Sequence, residues 1–291
     1  MRNARHFAPG YATRDHAALI AANRHVLWEP AWRKLLRYTA IAGFCGLVIA
    51  GLWHIDATPQ RILPGLTRLF MLLPMMVPPE PGDFLWTYLY AVLQTIAMAL
   101  VATFAAAIVA VPVGFFASRS FNRCAPCRII LRRLMDIVRS VDTLIWALIF
   151  VAGVGLGPFA GILAMAFKDT VVLGKLFSEA IESITDSEVD SVRATGISGI
   201  ALIRFGYMPQ LLPIMLSHAL YFLESNTRSA TVLGAVGGGG IGFWLVDRIG
   251  VNDWQEVSFI IIMLIAVVIG IDWLSANIRG RVIGSAGHIR Q

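Results

Sequence analysis

Apolar residues in this chain come in long unbroken runs, and the polar residues gather between them. The stretch from Leu85 to Ser118 carries no charged residue at all. A bilayer crossing takes about 20 apolar residues, so this run exceeds one straight crossing and predicts a tilted helix kinked at Pro112. Five further runs, at about Leu36–Trp53, Leu134–Gly155, Pro158–Phe177, Pro209–Val246 and Val257–Ala276, complete the pattern. The expected fold is an all-α integral membrane protein with six transmembrane helices. A shorter apolar piece, Gly65–Leu73, is followed by Pro74, Pro78, Pro79 and Pro81. It is too short to cross and predicts an interfacial helix ended by prolines.

Two runs contain features that a simple crossing does not need. Gly153, Gly157 and Gly161 recur every four residues around a tight hairpin, which lets helix backbones approach closely in lipid. The dinucleotide-type pattern in the same stretch, Gly155, Gly157 and Ala160, lacks the preceding strand that such a site requires. Lys168 and Asp169 interrupt the fourth run. Either they form a buried pair facing the bundle interior, or the helix is already leaving the membrane. The fifth run is too long for one crossing and contains Gly237, Gly238, Gly239 and Gly240, which predict a helix break and gate at membrane depth.

Composition supports this picture: 57% of the 291 residues are hydrophobic and 14% charged, against about 25% charged in soluble domains. The net charge of +6 does not point to nucleic acid, because the basic residues are dispersed over loop ends instead of gathered with aromatics on one domain. Their distribution orients the chain. Lys and Arg number seven up to Arg37, five across 118–133, four across 168–206 and three after 276, against two, none and one in the alternate segments. Basic loops stay inside, so both termini are expected in the cytoplasm of a multi-pass inner (plasma) membrane protein. Arg139 and Arg228 fall within spans. The N-terminal residues lack the apolar core and cleavage site of a signal peptide, and residues 17–36 suit either a helix on the inner membrane surface or a frayed tail. The resulting segments are 1–35, cytoplasmic or interfacial; 36–83, the first span and an outer interfacial helix; 84–276, a core of five spans; and 277–291, a cytoplasmic tail.

Between the fourth and fifth runs lies a polar insert, 179–208, with helical character. In Asp190-Ser191-Val192-Arg193-Ala194-Thr195-Gly196 the small and β-branched residues can share a helix face, and Gly196 can stop the helix. Pro209 and Pro213 suit the start of a new helix. This arrangement resembles the cytoplasmic loop of ABC-importer permeases. There, an acidic residue and two small ones precede a glycine by six positions, and a proline follows thirteen later; here these are Asp190, Ser191, Val192, Gly196 and Pro209. The family usually has Glu-Ala-Ala where this chain has Asp-Ser-Val. Arg193-Ala-Thr-Gly196, Pro209-Gln-Leu-Leu-Pro213, Glu224-Ser-Asn-Thr-Arg-Ser-Ala-Thr-Val232 and Val154-Gly-Leu-Gly-Pro-Phe-Ala-Gly161 resemble the phosphonate-type branch of that family.

No Gly-x4-Gly-Lys-Ser/Thr loop is present, so ATP hydrolysis is expected on another subunit. Charged groups at membrane depth are expensive and usually face a polar interior. Glu224 and Arg228 stand four apart and can pair, with Ser225 and Asn226 between them. The pair is either structural or part of a route for a small anion, to which Arg is suited by its forked donors. Arg139 and Ser140, with Asp136 and Asp142 nearby, leave the same two readings open. Cys124-Ala-Pro-Cys127 lacks the second ligand pair of a metal site and the preceding strand of a redox motif, so incidental thiols are the favoured reading. His54 and His218 lack a second ligand at useful spacing.

The resemblance implies a type I ABC-importer permease working by alternating access, with no enzymatic activity and no bound cofactor or metal of its own. Two copies would form one pathway in membrane lipid. Two ATP-binding cassette subunits carrying ATP and Mg would grip 190–196, and a periplasmic or extracellular binding protein would deliver a phosphonate, phosphite or hypophosphite. The competing readings are a permease for phosphate or an amino acid, a proton-coupled secondary carrier using Glu224 and Asp169, and a membrane anchor or sensor.

Overall fold

The computed structural model describes residues 31–184 and 186–287, and every regular element in them is helical. The segment expected on the inner surface before residue 31 lies outside the described residues. Helices α1 (Ala31–His54) and α2 (Pro59–Met75) come first. α1 is long and apolar enough to cross a bilayer over Trp32–His54, in line with the run expected from Leu36. α2 covers the expected short helix Gly65–Leu73 but begins earlier, at Pro59, and takes Pro74 into its last turn. Residues 76–81, with three more prolines, are not helical. The described residues up to Met71 form one compact unit and those from Leu72 onward a second.

The second unit is built on α3 (Leu85–Ala117), which runs unbroken through Pro112. Its 33 residues span about 50 Å at 1.5 Å each. Ala91, Ala99, Ala102, Ala106, Ala110 and Ala117 lie buried along one face. Small side chains on that stripe let α6 (Pro158–Glu182) pack closely against it. The third span expected as one helix is two: α4 (Ala125–Ser140) and α5 (Thr143–Val154) meet at 90°. The physical reason is local. Val141 is extended, and the Asp142 carboxylate accepts from Leu144 N at 2.9 Å, capping a new helix where the old one would have continued.

The fourth expected span also differs. α6 is one continuous helix of 25 residues, so the chain does not leave the bundle at Lys168. By length and apolarity four described helices qualify as crossings, and the bent α4–α5 pair makes up to five. α6 is not among them, because Lys168, Asp169, Lys175, Glu179 and Glu182 interrupt it. Lys168, Asp169, Lys175 and Glu182 find partners inside the protein, described below.

After α6 comes α7 (Asp186–Arg193), then a wide helical turn at Ile203–Tyr207 leading into α8 (Met208–Leu233). α8 ends in the glycine break, and α9 (Ile241–Gly250) and α10 (Trp254–Gly287) follow. α10 runs past Ala276, so the tail expected from 277 begins as helix. The core forms three clusters in order along α3. Tyr88, Ala91 and Val92 pack on Ile241 and Ile260. Met98 and Ala102 pack on Ala147, Met165, Ala230 and Leu233. Ala106 and Ala110 pack on Leu173, Phe177, Leu211 and Met215, with Val189 of α7 joining them.

Candidate functional site

The segment singled out for coupling is a short helix anchored at its root and open at its tip. Val189 is buried in the third core cluster and ties α7 down. From there the side chains turn outward. Asp190, Ser191, Arg193, Ala194, Thr195 and Gly196 are exposed and Val192 is half-buried. Asp190 and Arg193 pair at 2.7 Å within the last turn, and Thr195 Oγ1 donates back to Val192 O at 2.7 Å. Gly196 then stops the helix at φ +84°, a left-handed conformation that a side chain would strain. The root is clamped from the other side as well. Glu182, at the end of α6, accepts from Arg132 at 2.5 Å and from Arg119 N at 2.6 Å. Phe121 lies edge-on to Tyr207 at 4.8 Å where the chain returns toward α8.

The residues expected along an anion route do not form one cluster. Glu224 and Arg228 do pair, at 2.6 Å and four residues apart. Two residues of α10 join them: Asp272 lies 3.6 Å from Arg228, and Arg279 lies 3.6 Å from Glu224. These partners were missed in the sequence, although a carboxylate inside the last apolar run is itself a signal. Asn226 points to the opposite side of α8, where its amide donates to Asp169 at 2.5 Å and to Thr103 at 2.9 Å. Ser225 is half-buried between these two faces. Arg139 and Ser140 sit exposed at the end of α4, which packs on α6. Their acidic neighbours are engaged elsewhere: Asp136 pairs with Lys175 and Arg133, and Asp142 caps α5.

Lys168 and Asp169 part company. Lys168 donates to Thr143 Oγ1 at 2.8 Å, at the start of α5. Asp169 is 5% exposed and held by Asn226. Neighbours in sequence on a helix point about 100° apart, so a direct pair was never geometrically available to them.

The glycine break is the sharpest feature of the interior. Gly237, Gly239 and Gly240 all take positive φ, at +94°, +76° and +74°. The turn this produces exposes two backbone donors to α3: Gly240 N donates to Gln94 Oε1 at 3.1 Å and Ile241 N to Thr95 Oγ1 at 2.9 Å. The α5–α6 hairpin packs on the same turn, with Gly157 N donating to Gly237 O at 2.8 Å. A Cβ on Gly161 would come within 3.0 Å of Gly238 O. The close approach expected of the three glycines is therefore seen at Gly161; a Cβ on Gly153 or Gly157 would meet nothing within 4 Å, and Gly157 joins the contact through its N–H alone.

Two further features carry no sequence signature at close range. Arg248 of α9 reaches Glu256 at 3.2 Å and lies 4.6 Å from the Phe84 ring centre, while Tyr88 donates to the same carboxylate. This clamp fixes the return arm α9 to α3 and α10. Between α3 and α8 lies a cavity of about 250 Å³ lined by Phe104, Ile108, Phe177, Leu212 and Leu216. Thr103 is the one hydroxyl on its wall, so it offers little to an anion.

Comparison with known proteins gives this geometry a family. Residues 110–284 match the model of the binding-protein-dependent transport system inner membrane component. The chain belongs to that family. This permease is 34% identical over 252 residues to the putative phosphite transport system permease protein HtxC of Stutzerimonas stutzeri, covering 86% of this chain and 88% of that one. It is 33% identical over 274 residues to the phosphite transport system permease protein PtxC of the same organism, covering 91% and 97%. Its fold is shared with the structure titled as inward facing conformations of the MetNI methionine ABC transporter, at TM-score 0.63 and 20% identity, over 70% of this permease and 99% of that chain. The permease is thus a multi-pass inner membrane component of the type I ABC-importer fold. The expected fold class, family and transport role stand.

Proposed function

We propose that this permease carries a phosphonate or a reduced-phosphorus oxyanion such as phosphite or hypophosphite, by alternating access, as one of two permease subunits in an ATP-driven importer. The observation that carries the reading is the alignment with two permeases named for phosphite, which extends over 86% and 91% of this chain. Supporting it is Arg228, a forked cation in the apolar bundle whose side chain is 51% exposed despite two carboxylate neighbours. ATP and Mg belong to two partner ATPases, which grip Asp190 to Gly196. The anchored root and open tip of α7 suit such a grip, because a lever must be stiff where it joins the load. A binding protein delivers substrate from outside, and both termini face the cytoplasm, as the surplus of Lys and Arg on that side supports. The second permease subunit is a further copy of this chain.

The test is reconstitution of the permease with its ATPase and binding protein in lipid vesicles. ATP-dependent accumulation of radiolabelled phosphite or a phosphonate is the expected result. Uptake that persists without the ATPase, or binding of none of these anions by the binding protein, would sink the proposal. Differentially tagged copies of the chain that fail to co-purify would replace the homodimer with a pair of distinct permeases.

A further inference from the structure

Cys124 and Cys127 stand outside everything assigned above, and their geometry differs from that of incidental thiols. Cys124 occupies the position just before α4 without a side-chain cap bond, Pro126 follows in the first turn, and Cys127 comes one residue later. The two sulfur atoms meet at 2.8 Å, and both residues are exposed. The loop presenting them is held on several sides. Asn122 Oδ1 accepts from Cys124 N at 3.0 Å, while Asn122 Nδ2 donates to Phe116 O at 2.9 Å. Arg128 donates to Asn122 O and Arg132 to Ala117 O, each at 2.9 Å. The meeting of the sulfurs is thus set by a braced turn.

The setting favours the thiolate over the thiol. Free backbone N–H groups at a helix start and nearby guanidinium groups both stabilise negative charge on sulfur, and Arg123 and Arg128 flank the pair. Two sulfurs do not make a closed metal site, which takes four ligands. Among the described residues no third His, Cys, Asp or Glu joins them. The chemistry left to two exposed, adjacent thiols is exchange with other sulfur compounds.

We propose that Cys124 and Cys127 form a reversible dithiol–disulfide site whose reactants are low-molecular-weight disulfides and thiols. Cys124, at the start of α4, is the attacking sulfur. Its thiolate attacks one sulfur of the small disulfide, forming a mixed disulfide and expelling the other half as a thiolate. Cys127 then loses its proton to water and attacks Cys124 Sγ, closing the intramolecular bond and releasing the second half as a thiolate. The pair gives up two electrons, and one small disulfide becomes two thiols. Excess small thiol runs the same steps backward. Because the bridge closes within the first turn of α4, no helix of the bundle has to move. The site stands whether or not the importer carries phosphorus oxyanions.

The experiment uses the full-length protein in detergent, equilibrated over a series of reduced and oxidised glutathione mixtures, quenched in acid, unfolded, alkylated and analysed by peptide mass spectrometry. The expected result is a peptide spanning 124–127 that loses the mass of two hydrogens and both alkyl groups as the mixture becomes oxidising, and regains them on reduction, while Cys45 stays alkylated. In Cys127→Ser the glutathione adduct accumulates on Cys124, about tenfold faster than on Cys127 in Cys124→Ser. Full alkylation of both thiols across the series, bridges only between separate chains, or equal adduct rates in the two variants would overturn the proposal.

Discussion

Asn226 donates its side-chain amide to the Asp169 carboxylate at 2.5 Å, joining α8 to α6 inside the bundle. The same amide reaches Thr103 Oγ1 on α3 at 2.9 Å, so one side chain ties three helices together. Removing a donor from a buried charged acceptor costs about 2–3 kcal/mol. Asn226→Leu is expected to lower the stability of the detergent-solubilised permease by about that amount, read from its denaturation midpoint. Asp169→Asn keeps an acceptor for Asn226 and should cost less than half as much. Equal losses would show that Asp169 matters for something other than this contact.

Gly240 is the test of the helix break. A Cβ there would lie 2.5 Å from Thr95 Oγ1, at a φ of +74° that side chains rarely adopt. Gly240→Ala should therefore destabilise by about 1–3 kcal/mol and reduce ATP-dependent uptake at least severalfold. Gly250 has nothing within 4 Å and an ordinary φ. Gly250→Ala should leave both measurements unchanged, which separates the effect of the turn from that of adding a methyl group.

Arg228 separates a route from a strut. Its side chain is half exposed, and Glu224 keeps Arg279 as a second partner when the arginine is removed. If it meets the anion, Arg228→Ala should cut uptake at low substrate about tenfold or more with little change in denaturation midpoint. Unchanged uptake removes it from the path, and the same comparison with Arg139→Ala decides the role of the arginine at the end of α4.

Coupling is tested at Gly196. Open space surrounds its Cα, so the cost of Gly196→Ala comes from backbone strain at φ +84° alone, about 1–2 kcal/mol. The variant should retain assembly of the bundle while losing stimulation of the partner ATPase by loaded binding protein. A thiol placed at Ala194 should crosslink to that ATPase, and failure of every position from 190 to 196 to do so would end the coupling assignment.

Cys124 provides a pH dependence. The hydrogen bond donated by the Cys127 thiol holds the Cys124 thiol below its ordinary range. A depressed value means that the thiolate persists to lower pH. Alkylation of Cys124 should accordingly begin to rise at lower pH than alkylation of the lone Cys124 left in Cys127→Ala, which lacks the donor. Coincident profiles would show that the sulfur contact has no electrostatic effect.

What the sequence revealed and what it hid divide by distance along the chain. The first, second, fifth and sixth apolar runs, the four-residue spacing of Glu224 and Arg228, and the consecutive glycines are local signals, and each appears in the structure where the pattern placed it. Lys168 and Asp169 were ambiguous because their partners, Thr143 and Asn226, lie on other helices. Asp272 and Arg279 fall within α10 and reveal their place only when α8 lies beside it. The Arg248–Glu256 clamp needs Phe84 and Tyr88, which lie far back in the sequence. The bend between α4 and α5 did leave a local trace, since Ser140-Val-Asp142 is a capping sequence. It went unread because the apolar run continued across it.

Gly157 N meets Gly237 O at 2.8 Å where the α5–α6 hairpin and the end of α8 come together. Peptide groups from two separate turns thus join the hairpin to the helix break. Nothing at that contact can ionise, oxidise or switch rotamer, so neither acidity nor redox poise can tune it. Whatever opens the molecule there must come as mechanical force transmitted along the helices themselves.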